Sequence, residues 1–195
     1  MPLWGTAHAS ATNKPKWAPT DENSDYSKGD IYATNAGWVQ QAGTAASGND
    51  NASADPEVLV ALGMLAGGTD TTGLRAPTVT SMRFVQAAYA AGSRTITVEV
   101  TWDEGVTVAG TPQLVVANDS RADHTLSYTA TGSTANRKRF TAASQTVVED
   151  DVLTIGGADI TLNGGTISDT VRGGTAQAAL LVLSGLTAVT STVTA

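Results

Sequence analysis

Hydrophobic and polar positions alternate strictly over Arg94–Trp102: Ile96, Val98, Val100 and Trp102 fall on one face, and Thr95, Thr97, Glu99 and Thr101 on the other. Successive strand side chains point to opposite faces, so this spacing predicts a half-buried β-strand, with Trp102 in the core beside Val98 and Val100. Shorter strand candidates follow over 105–108, 112–116, 124–130, 138–142, 152–155, 165–168 and 178–184. Turn formers separate them, among them Ala109-Gly110-Thr111-Pro112, Asn118-Asp119, Gly156-Gly157 and Asn163-Gly164-Gly165.

Residues 1–78 follow a different grammar. Trp4, Trp17, Tyr26, Tyr32 and Trp38 are spread among turn-forming runs such as Asn13-Lys14-Pro15-Lys16 and Ser27-Lys28-Gly29-Asp30, and no long alternating run connects them. Isolated aromatics on such a chain predict an extended, mostly irregular arm. Each aromatic buries a large area at low rotamer cost, so these five are the candidate partner-binding residues. Gln41 to Pro56 is small and polar, a flexible loop by composition. It leads into Glu57-Val58-Leu59-Val60-Ala61-Leu62-Gly63-Met64-Leu65, whose periodicity does not decide between a buried strand and a short helix. A second loop, from Gly67 to Pro77, marks the hinge. The chain therefore divides into an N-terminal arm, 1–78, and a β domain, 79–195. About seven short strands in roughly 110 residues is the profile of an Ig-like antiparallel β-sandwich, which makes the protein all-β.

Composition sharpens this. The chain has 195 residues, 20 of them Gly, and only 15% are charged, with a formal charge of −7. An acidic chain is a poor match for nucleic acid, whose binding rests on neutralising phosphates with cations. The sequence has no Cys, which excludes disulfides, zinc–thiolate sites and cysteine nucleophiles. No window approaches the roughly 18 apolar residues of a membrane span. Neither nucleic acid nor membrane is an expected partner, and the start, Met1-Pro2-Leu3-Trp4-Gly5-Thr6, lacks the charged and apolar regions of a signal peptide.

Two segments resemble known families. Ile96 to Leu114, ending Val106-Thr107-Val108-Ala109-Gly110-Thr111-Pro112-Gln113-Leu114, resembles the V-x-V-x-G-T-P-x-L signature of bacterial Ig-like modules. Leu162-Asn163-Gly164-Gly165-Thr166-Ile167-Ser168-Asp169 resembles their second hairpin. The resemblance covers about residues 79–187 and implies a fold without an activity. The first half resembles head proteins of tailed phages that infect marine bacteria. Four segments carry it: Met1-Pro2-Leu3-Trp4-Gly5, Lys14-Pro15-Lys16-Trp17, Gly37-Trp38-Val39 and Glu57-Val58-Leu59-Val60-Ala61-Leu62-Gly63. It implies a virion structural protein that decorates or cements the capsid.

The residues offer little catalytic chemistry. The two histidines, His8 and His124, have no Gly-x-Ser-x-Gly nucleophile elbow to work with, and His124 is expected at a surface or strand edge. Asp103-Glu104, Asp119, Glu149-Asp150-Asp151, Asp159 and Asp169 are expected as solvated loop tips. Ca²⁺ is the alternative there, since it takes six to eight oxygen ligands, but no Asp-x-Asp-x-Asp-Gly loop supports it and no cofactor is expected. Arg137-Lys138-Arg139 is expected at a strand edge, deterring edge pairing or meeting an acidic neighbouring shell.

These expectations converge on a non-enzymatic virion protein on the outer capsid surface. The arm would bind the major capsid protein, its aromatics filling pockets and its backbone adding strands to open edges. The sandwich would face outward beside neighbouring copies or within a homo-oligomer, with weak glycan contact as a further role. The alternative is a host-recognition or adhesion module on a tail fibre or surface adhesin, with glycan or Ca²⁺ dependence in the 103–169 loops.

Overall fold

The computed structural model describes residues 29–44, 47, 49–63, 65–66, 76–169 and 176–195. The described residues form an all-β protein of thirteen strands. Their contacts divide into two compact units. The first holds the described residues up to Thr80, together with Trp102–Thr107 and Ser168–Leu180. The second holds Ser81–Thr101, Val108–Ile167 and Leu181–Ala195. Two segments from the C-terminal half thus pack with the N-terminal half.

In the first unit, β1 (Ile31–Thr34), β2 (Gly37–Gln40) and β3 (Glu57–Ala61) form an antiparallel sheet in that order. This part of the expected irregular arm is therefore a sheet. The β1–β2 hairpin turns through Asn35-Ala36, where the Thr34 hydroxyl donates to the Gly37 carbonyl at 3.2 Å and the Ala36 amide donates back to it at 3.2 Å. Gly37 sits at φ 129°, and a Cβ there would collide with the Val60 carbonyl, so this position requires glycine. Ile31, Ala33, Trp38, Leu65 and Ala66 form a small buried core, with Val60 and Leu62 packed against it. β1 and β2 are four residues each and buried on both faces, so they carry no alternating pattern for the sequence to display.

The second strand set runs β4 (Val79–Phe84), β5 (Tyr89–Ala90), β6 (Gly92–Trp102), β7 (Val106–Ala109), β8 (Gln113–Asn118), β9 (His124–Thr129), β10 (Arg137–Val147), β11 (Val152–Ile155), β12 (Thr166–Asp169) and β13 (Val189–Thr194). Eight of them pair in the order β4-β6-β10-β9-β8-β11-β13-β5, and β7 pairs with β12. Within the second unit the two ends of this order face each other. The Thr97 amide of β6 donates to the Tyr89 hydroxyl of β5 at 3.4 Å, and Gly156, just after β11, abuts Met82 of β4. The long sheet is thus rolled over on itself, as a sandwich requires. Between its layers lie Ile96, Val98, Val100, Leu114, Val116, Leu126, Phe140, Leu153 and Ile155, all fully buried.

The strand expectations meet this structure closely from β6 to β12, with two differences. Residues 178–184 form no strand: the Leu180 amide donates to the Pro77 carbonyl, whereas that of Leu183 goes to the Asp159 carboxylate at 2.9 Å. Alternation is present there, but the backbone bonds are divided between separate loops. The last strand is instead β13, whose Val-Thr-Ser-Thr-Val-Thr sequence is too polar to stand out.

Candidate functional site: the N-terminal sheet and its acid cluster

Trp4, Trp17 and Tyr26, along with His8, lie outside the described residues. Tyr32 and Trp38 are 3% and 1% exposed, because β1 and β2 turn them into the protein's own interior. Burial raises the Tyr32 hydroxyl to about 12, so it is neutral at any physiological pH. These two aromatics meet their burial requirement within the chain rather than standing open as anchors.

What the N-terminal sheet does present is β3. It is the outer strand of the order β1-β2-β3, and its Val58 and Leu59 are 52% and 38% exposed. The register explains why both are outward. Val39 opposes Val58 and Trp38 opposes Val60, so Leu59 is the extra residue of a β-bulge. A bulge re-aims a side chain and twists the strand. Here it leaves two neighbouring apolar side chains exposed on the outer strand of the sheet among the described residues, where natural proteins usually place charge.

The other border of this sheet meets an acidic segment. The Ala33 amide donates to the Asp103 carbonyl at 2.7 Å, and Ala33 pairs with Glu104 in an isolated parallel bridge. Asp103, Glu104 and Asp169 are 0%, 1% and 4% exposed, so these three are not the solvated loop tips expected. They belong to the two segments that pack with the N-terminal half, and this packing removes them from water. One Asp103 oxygen accepts from the Thr78 amide at 2.8 Å, and one Asp169 oxygen accepts from the Gln177 amide at 2.7 Å. Neither Glu104 oxygen has a hydrogen-bond partner, nor does the second oxygen of Asp169. Burial, then Asp103, then Asp169 push the Glu104 carboxyl up to about 8. Among the described residues no group of three or more His, Cys, Asp or Glu side chains is placed to hold a metal ion. Sequence reasoning missed the burial of Glu104, because Asp-Glu after a strand resembles an ordinary turn.

In the second unit the basic run also departs from expectation. β10 lies between β6 and β9, so Arg137-Lys138-Arg139 occupies an interior strand rather than an edge. Arg139 donates through Nε to Glu99 at 3.0 Å, Arg83 donates to it through Nε and Nη2 at 3.0 and 2.8 Å, and Arg137 approaches within 3.7 Å. Glu99 is only 3% exposed, so the guanidinium groups cover the polar face of β6. Lys138 points the other way, and burial lowers its amine to about 8 while Nζ donates to the Thr134 carbonyl at 2.6 Å.

His124 is likewise buried, not at an edge, because β9 is flanked by β10 and β8. Its Nδ1 lies 2.9 Å from the Gln145 side-chain oxygen. Asn118 donates to Asp151 at 3.1 Å, and the Val148 amide and Asn118 hold the Asp151 carboxyl below the usual range. This is a packed polar network rather than a nucleophile–base pair. Comparison with protein-family models, with curated proteins and with solved structures finds no match.

Proposed function

We propose that this chain is a non-enzymatic structural protein of a virus particle, bound to the major capsid protein on the outer shell through its N-terminal half. The observation that carries the reading is β3, the bulged outer strand among the described residues of the β1-β2-β3 sheet, which exposes Val58 and Leu59. An outer strand that exposes apolar side chains suits the addition of a strand from a partner. It coincides with the Glu57–Gly63 segment that resembles phage head proteins. Many weak contacts of this kind on a repeating lattice sum by avidity. The polar, Thr-rich strands of the second unit suit an outward-facing module beside neighbouring copies.

The test uses capsid shells prepared without this protein. The wild-type chain should co-sediment with them, whereas Val58→Lys/Leu59→Lys should not. Both positions are exposed, so the substitutions should shift stability by no more than about 0.5 kcal/mol each. Binding by the double variant at wild-type level would reject β3 as the contact. Failure of the wild type to bind, with binding to host-cell surfaces instead, would favour the host-recognition reading.

A further inference from the structure

A carboxyl group deep in a protein, with neither oxygen hydrogen-bonded and two further acids beside it, is tolerated in its neutral form and strongly disfavoured in its charged form. Glu104 is in this situation, and its position gives the charge a mechanical consequence. Its backbone forms the bridge to Ala33, and the preceding carbonyl, Asp103, accepts the Ala33 amide. β1 is therefore held on the same short segment whose side chain is starved of partners.

We propose that Glu104 is a proton-operated latch: protonated, it allows β1 to rest on the Asp103–Glu104 segment, and ionised, it favours release of β1. The inference is independent of the capsid reading. Among the described residues, the titratable groups facing Glu104 are Asp103 on its own segment and Asp169 at the end of β12, and both oppose its ionisation. β1 contributes Tyr32, which stays neutral throughout this range.

The sign follows from linkage. Seated, the carboxyl holds its proton up to about pH 8, while a solvated glutamate releases it near its ordinary value of 4.5. Between those values the seated state binds a proton that the released state lacks, so seating weakens as pH rises. Below the lower value the latch is fully closed, and above the upper one it weakens no further.

Amide hydrogen exchange of Ala33 in the full chain tests this, as the ratio of the wild-type rate to the Glu104→Gln rate at each pH. Glutamine mimics the neutral carboxyl, and the ratio cancels the intrinsic pH dependence of exchange. It should rise about tenfold per pH unit between about pH 5 and 8, then level off. Amides of the β6–β10 pair should give a flat ratio. Asp169→Asn removes one opposing charge, so in that variant the Ala33 rate, referred to the β6–β10 amides of the same sample, should stop rising at a lower pH than the wild-type rate referred in the same way; this comparison needs no Glu104→Gln protein. A flat Ala33 ratio in the first comparison, or an unshifted plateau in Asp169→Asn, would overturn the latch. So would an equal rise at the β6–β10 amides, which would indicate general destabilisation.

Discussion

Replacing Trp102 by Ala should destabilise the protein by about 3–5 kcal/mol, the cost of emptying a large aromatic site that can collapse only partly. Trp102 is fully buried at the end of β6, and its indole Nε1 donates to the Leu180 carbonyl at 3.3 Å. Both residues belong to the first unit, so the tryptophan ties the end of the long strand to the segment that carries Leu180. Trp102→Phe should retain most of the packing and lose the hydrogen bond, a smaller loss of about 1–2 kcal/mol. Urea denaturation of both variants measures this. A loss below about 1 kcal/mol for the alanine variant would show that the site repacks freely.

Glu99→Gln should be the costliest of the polar changes, at about 2–3 kcal/mol. Breaking a fully buried ion pair commonly costs about 3–5 kcal/mol, and the figure is reduced here because Arg83 and Arg139 keep 34% and 30% side-chain exposure and can be partly resolvated. The amide cannot serve both bonding guanidinium groups as the carboxylate does, with one oxygen to Arg83 and the other to Arg139. Double-mutant cycles isolate the coupling: Arg139→Met should cost markedly less in the Glu99→Gln background than in the wild type. Additive losses would mean that Glu99 and Arg139 stabilise the sheet independently.

The contrast between these residues explains how much the sequence makes legible. β6 stands out because nine consecutive positions obey one period, and a central strand must bury one face continuously. The role of Glu99 does not, since its three arginines come from positions far away in the chain, one on β4 and two on β10. The same holds for Arg137-Lys138-Arg139, where only the strand order reveals that β10 is interior. In the N-terminal half the turn at Asn35-Ala36 is a local feature, whereas Gly37 is required by the approach of Val60 on β3. Burial of Trp38 likewise depends on β3 returning after the polar 41–56 loop to bring Val60 against it. The acid cluster was the least visible of all, because Asp103, Glu104 and Asp169 are drawn together by packing rather than by any motif. Its existence also shows where the chain departs from local consistency, the kind of place where functional or strained features concentrate.

As proposed, the protein decorates a shell in many copies, with β3 as its contact. The most direct measurement is its copy number relative to the major capsid protein, by quantitative mass spectrometry of heads freed from tails. The account predicts a simple whole-number ratio to the capsid subunit, retained after the tails are removed. A few copies per particle, or loss of the protein together with the tails, would contradict it.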